Sequence, residues 1–133
     1  PGSEIVKIAH QENIRVVPLT GPRSILMALM ASGMNGQKFT FNGYLPVDTP
    51  GRKKAIRFLE VEIKKGTTQI FMETPYRNMK MLEDVLAAAD DNTRLCIATD
   101  ITLPSEFIKT KTIAQWRKGL PDLQKRPCIF ILG

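Results

Sequence analysis

The chain has little from which to build a metal centre or a disulfide framework. It contains two cysteines and one histidine in 133 residues. Cys96 and Cys128 each sit inside an apolar run, where a free thiol behaves as a small buried hydrophobe. A disulfide between them is the poorer reading. His10 has no cysteine or histidine partner at metal-ligand spacing, so no metal site is expected. Long apolar runs are missing as well. The longest, residues 25–31, is too short to span a bilayer and stops at Gly33. No charged region followed by an apolar stretch opens the chain, so no signal peptide is read. A cytoplasmic location without a membrane partner is expected. Acid is scarce relative to base. Thirteen Asp and Glu face nineteen Lys and Arg, giving a net charge of +6. That balance favours an anionic partner, of which RNA is one candidate.

What remains is an ordinary globular composition, 43% hydrophobic and 24% charged, enough for one domain around one core. The chain opens on Pro1-Gly2 rather than Met and closes on a strand-like run at Gly133. It reads as a piece excised from something longer.

Periodicity gives an alternating order of elements. Glu4 to Glu12 places Ile5, Ile8 and Ala9 on one face of a short helix. Ile14 to Leu19 is β-branched and apolar and reads as a buried strand. Thr20-Gly21-Pro22 breaks it and starts a helix to Ser32, apolar almost all round and so buried on several sides. Phe39 to Leu45 is extended. Thr49-Pro50 caps a helix with the inner stripe Ala55, Ile56, Leu59 and Ile63, stopped by Gly66. Thr67 to Met72 is a strand, and Thr74-Pro75 caps a helix carrying Met79, Leu82, Val85, Leu86 and Ala89. Arg94 to Thr99 and Glu106 to Lys111 are strands. Thr112 caps a short helix packed by Trp116, and Pro127 to Leu132 is a last buried strand. Strands that first alternate with helices and then cluster argue for an α/β domain, a mixed sheet flanked by helices.

Four stretches could carry chemistry. Pro18-Leu-Thr-Gly-Pro-Arg-Ser24 is a strand, a Gly turn and a helix N-terminus, where backbone N–H groups can meet an anion or a ligand's polar edge. A plain strand-to-helix connection is the competing reading. Phe71-Met-Glu-Thr-Pro-Tyr-Arg77 puts Glu73 just past a strand, where α/β folds place ligand residues. Arg77 falls in the first helical turn, where the macrodipole disfavours a cation, so it needs a partner: Glu73 or a phosphate. Asp100 and Glu106, beyond another strand, could form an acid–base pair or be two solvated carboxylates. Arg52, Lys53, Lys54 and Arg57 crowd one helix start, as an RNA-phosphate contact or as a solvated face.

Taken together, these stretches resemble one family. Pro18-Leu-Thr-Gly-Pro-Arg-Ser24 is similar to the Pro-Leu-Pro-Gly-Pro-Ser-Ala connection between the two domains of the tetrapyrrole methylases. Phe41-Asn-Gly-Tyr-Leu-Pro46 resembles the Phe-x-Gly-Phe-Leu-Pro segment of that family's ribosomal RNA branch, and the basic helix from Arg52 fits the same branch. Phe71-Met-Glu-Thr-Pro-Tyr-Arg77 resembles its Phe-Tyr-Glu-Ser-Pro-His-Arg. Pro1-Gly2 looks like the tail of an Asp-Pro-Gly motif. Order and spacing hold from Pro1 to about Glu106.

The resemblance implies the C-terminal half of an S-adenosyl-L-methionine-dependent methyltransferase with the cofactor between two α/β domains. Residues 1–19 would be the tail end of the N-terminal cofactor domain and 20–133 the C-terminal domain. The resemblance places cofactor contacts at Gly21, Pro22 and Ser24, at Met72, Glu73 and Thr74, at Ala98 and Thr99, and at Pro127. It gives RNA contacts to Arg52, Lys53, Lys54 and Arg77, a ribose 2′-hydroxyl of small-subunit ribosomal RNA as acceptor, no metal, and a homodimer. The chain departs from the branch in two places. Tyr76 stands for the motif's His, and Asp100-Ile-Thr-Leu103 stands for Glu-Leu-Thr-Lys, without the Lys. A tetrapyrrole or other small-molecule methylase of the same family, and a non-catalytic dimerisation or RNA-binding domain, are the competing functions.

Overall fold

The computed structural model describes residues 2–19, 21 and 23–133. Two helices come first, α1 (Gly2–Gln11) and α2 (Ser24–Ser32), then β1 (Phe39–Tyr44), α3 (Thr49–Lys64) and β2 (Thr68–Met72). A 3-10 turn (Pro75–Arg77) leads into α4 (Asn78–Ala88), and β3 (Arg94–Thr99), β4 (Phe107–Thr112), α5 (Ile113–Arg117) and β5 (Cys128–Leu132) complete the chain. The α/β expectation with a mixed sheet holds. Five strands lie in the order β1-β2-β5-β3-β4. β1 and β2 are parallel, while β5 runs antiparallel to both β2 and β3. The exits of β2 and β3 therefore share an edge with the entrance of β5, with Met72 opposite Ile129 and Thr99 opposite Cys128.

Period-two alternation sorts the strand residues onto two faces. On the rear face, Phe71, Leu95, Ile97, Phe130 and Leu132 pack with Ile56 and Leu59 of α3 and Met81, Leu82 and Val85 of α4. Phe71 and Phe130 stack with ring centroids 5.5 Å apart. Trp116 of α5 closes this core and donates its indole N–H to Leu95 O at 2.8 Å, so its polar tip is satisfied inside an apolar setting. Ile70, Cys96, Ala98, Ile129 and Ile131 point the other way, against Ala28 and Leu29 of α2.

Local signals explain most boundaries. Thr112 and Gln115 form a reciprocal capping box at α5. Gly33, at φ 75°, ends α2 in the left-handed conformation that suits glycine. The cap of α3 lies one residue earlier than expected. Asp48, not Thr49, accepts the Gly51 N–H, because the Thr49 hydroxyl is turned to Asp84. Thr74 makes no side-chain cap, and the segment after it is a 3-10 turn before α4 begins.

The expected strand at Ile14 to Leu19 is not there. These residues join no sheet and are exposed, since among the described residues no strand lies alongside to complete a ladder. The amphipathic α1 exists but has no buried residue, leaving Ile5 and Ile8 in solvent. Among the described residues, no helix is long and apolar enough to cross a membrane.

Candidate functional site

A cleft of about 320 Å³ opens where the strand ends converge. Its floor is Met72 from β2, Ala98 from β3 and Cys128 and Ile129 from β5; Ser24 at the start of α2, Glu73 and Pro75, and Pro127 border it. Asp100, Ile101 and Leu103 supply the remaining side. The carboxyl-end edge of a sheet is where open α/β folds bind ligands, since backbone groups leave the ladder there and side chains diverge. An apolar floor with a few polar groups at its margin suits a flat organic ligand with polar ends. Two buried hydroxyls in the segments bordering this edge, Thr74 Oγ1 and Thr99 Oγ1, have no hydrogen-bond partner, nor does Asn78 Oδ1. Buried polar atoms are normally paired, and an ordered water is the partner that atoms closed off in this way would take.

Five of the nine expected cofactor residues, Ser24, Met72, Glu73, Ala98 and Pro127, line this one cleft. Thr74 and Thr99 border it in sequence, with side chains turned into the protein. Gly21 is exposed and does not line the cleft. Pro22 and Thr20 lie outside the described residues. Ile101, Leu103, Cys128 and Ile129 belong to the lining and were not singled out from the sequence. Two apolar residues, Ile101 and Leu103, in a loop at a strand exit were the available signal.

Glu73 is buried and meets two arginines. Arg52 Nη2 pairs with Glu73 Oε2, and Arg77 Nη1 lies 3.5 Å from Oε1. Arg77 thus has the partner its position in the first turn demanded, while remaining half exposed. Arg52 overturns the expectation of an RNA contact. It is 1% exposed and also bonds Asp84 Oδ2 at 3.2 Å, so it cannot reach a phosphate. The reason is helical phase: Arg52 stands four residues before Ile56, on the inward stripe of α3. Lys53 is half-buried, and Lys54 and Arg57 are exposed beside an exposed Phe58.

Asp100 and Glu106 do not face each other as an acid–base pair. Asp100 Oδ2 accepts from Arg126 Nε at 2.8 Å and from Ser105 Oγ at 3.1 Å. Those bonds, that of Arg126 first, hold its carboxyl below the ordinary value, so it stays ionised at neutral pH and cannot serve as a general acid. Glu106 accepts the Thr102 N–H at 2.8 Å and closes its own loop. This loop carries positive φ at Asp100 (52°) and Thr102 (72°). For a β-branched residue that is strained backbone, of the kind that collects beside ligand sites. Tyr76, in place of the motif's His, is 81% exposed and outside the cleft lining. Burial raises the Cys128 thiol to about 11, so it is neutral and a poor nucleophile.

No protein-family model matches the chain. Curated relatives do. It is 30% identical to ribosomal RNA small subunit methyltransferase I of Escherichia coli O157:H7, over 99% of this chain and 46% of that protein. It is 35% identical to the protein of the same name from Leptospira borgpetersenii serovar Hardjo-bovis, over 100% of this chain and 53% of the relative. The chain therefore spans about half the length of the curated relatives it matches, and the matched half is their C-terminal part. Among solved structures, the methyltransferase CobJ superposes with a TM-score of 0.59 at 16% identity, over 98% of this chain and 56% of CobJ. Uroporphyrin-III C-methyl transferase from Thermus thermophilus, complexed with S-adenyl homocysteine, gives 0.50 at 17%, over 99% and 58%. With its converging strand ends and its sheet order, the chain shares the fold of these methyltransferases, and it is similar in sequence to the C-terminal part of ribosomal RNA small subunit methyltransferase I.

Proposed function

We propose that this chain forms one wall of an S-adenosyl-L-methionine site in a methyltransferase that acts on small-subunit ribosomal RNA. The observation that carries the reading is the cleft at the shared edge of β2, β3 and β5, where five of the residues implied by the motif resemblance, Ser24, Met72, Glu73, Ala98 and Pro127, come together. The relatives' names supply the reaction class. The residues fit the cofactor: an apolar floor at Met72, Ala98 and Ile129 for a flat base, and Ser24, Glu73 and Asp100 at the margin for its polar edges. When bound, the group supplies a sulfonium methyl to a nucleophilic oxygen. This chain's share is to bind and orient, since in-line transfer depends on placing donor and acceptor together. The wall at Ile101 and Leu103 keeps water from one side of the cleft.

Residues 1–19 fit a role outside the compact domain. The apolar face of α1 and the exposed run from Ile14 to Leu19 suit a preceding domain that would close the cleft. A homodimer is supported by apolar surface on α2 and β1, where Leu26, Met30, Phe39 and Phe41 are exposed. The RNA contacts fall to Lys53, Lys54 and Arg77, with Arg57 beside them, and the location follows from the substrate, in the cytoplasm.

The test is transfer of a labelled methyl group from S-adenosyl-L-methionine to small-subunit ribosomal RNA by the full-length protein. Ribose methylation that disappears on Ala98→Trp, which fills the cleft floor, is the expected result. Absence of cofactor binding would leave a non-catalytic RNA-binding module instead.

A further inference from the structure

Arg52 spends every arm of its guanidinium inside the protein. Nε donates to Pro46 O at 2.9 Å, just past β1. Nη1 donates to Asp84 Oδ2 at 3.2 Å, on α4. Nη2 pairs with Glu73 Oε2, at the exit of β2. One side chain on α3 thus ties the segment just before its own helix to two others that are 21 and 32 residues away. Glu73 passes the restraint on, because its Oε1 accepts the Thr74 N–H at 2.7 Å. Met72, Glu73 and Pro75 all border the cleft.

Stability alone is a weak reason for this arrangement. Arg52, Glu73 and Asp84 all have side chains no more than 3% exposed, and desolvating three charges offsets most of their mutual attraction. One guanidinium between two carboxylates also leaves an excess negative charge. Arg77 at 3.5 Å from Glu73 and Lys80 at 3.5 Å from Asp84 balance it from the surface. An apolar side chain would fill the space at less cost, but it would not fix three directions at once. A planar fork does that; a lysine's single ammonium does not.

We propose that Arg52 is a positioning residue for the cofactor cleft. It acts through Glu73 to hold the Met72–Thr74 wall in register with Pro46 and α4, and it takes no part in RNA contact. The proposal rests on the cleft being the S-adenosyl-L-methionine site.

The experiment measures two affinities on the full-length protein and its Arg52→Lys, Arg52→Met and Asp84→Asn variants. S-adenosyl-L-methionine is titrated calorimetrically, with the folded fraction fixed by circular dichroism, and a small-subunit ribosomal RNA fragment is titrated at two salt concentrations. Arg52→Lys, which keeps the charge, weakens cofactor binding at least tenfold and leaves RNA affinity and its salt dependence within twofold. Asp84→Asn, which frees one arm without touching the cleft, weakens cofactor binding at least threefold and keeps the proposal testable if Arg52→Met does not fold. Unchanged cofactor affinity in folded Arg52→Lys, or a loss confined to RNA binding, overturns the proposal. If the unsubstituted protein binds no S-adenosyl-L-methionine, the functional reading itself fails before any variant is compared, and this proposal fails with it.

Discussion

Behind the sheet, α3, α4 and α5 press Phe71, Leu95, Ile97 and Phe130 into a closed core. In front of it, α2 and Met34 cover Ile70, Cys96 and Ile131 and leave Phe39 and Phe41 partly in solvent. The closed face has its polar ends managed as well. Arg117 donates to Leu86 O and Ala89 O at the end of α4, and Glu60 accepts from Asp90 N and Thr93 Oγ1 to pin the turn into β3. Among the described residues, Met30 of α2 and Phe39 and Phe41 of β1 stay exposed on the open face. The difference separates two jobs. The rear layer makes the domain stable, and it holds the strand ends that form the proposed cofactor wall.

Substitutions should divide along that line. The largest loss is expected from Phe71→Ala, which removes one of two stacked rings from a fully buried site. A cost of about 3–5 kcal/mol is expected in denaturant unfolding of the full-length protein. Trp116→Phe should cost less, about 1–3 kcal/mol, since it mainly strips the partner from the buried Leu95 carbonyl. On the front, Leu103→Ala should change stability little, because Leu103 is half exposed, yet weaken cofactor affinity severalfold by removing cleft wall. Met30→Ser, at a residue 84% exposed, should leave unfolding within about 0.5 kcal/mol. A front-face substitution that unfolds the domain, or a rear-face one that alters only binding, would break the comparison.

The last expected effect is one of pH, and it vanishes at neutrality. Cys128 holds its proton to about 11 in the fold, against 9.0 ordinarily. Between those values the unfolded chain gives up a proton that the folded chain keeps. Stability therefore falls as pH rises through that window and is unaffected below it. Cys128→Ala should flatten the alkaline limb of the unfolding curve relative to the parent.

Much of this was legible in the residues. The inward stripe of α3, the capping box of α5 and the apolar runs of β2, β3 and β5 each follow from local pattern, and the strand-exit turns pointed to the cleft. What was hidden depended on partners remote in sequence. Ile14 to Leu19 has strand chemistry, but a strand also needs a neighbour. Arg52 sits in a run of cations and looks solvated until its helical phase is set against Glu73 and Asp84, 21 and 32 residues away. Leu103 looks like an ordinary loop residue until the edge of the sheet is assembled beneath it.

The most direct measurement is amide chemical-shift mapping of the full-length protein during titration with S-adenosylhomocysteine. Shifts concentrated at Met72–Thr74, Ala98–Leu103 and Cys128–Ile129, with the outer face of α3 unmoved, are what a one-walled cofactor cleft predicts. Saturable binding that leaves those three stretches unshifted would contradict it.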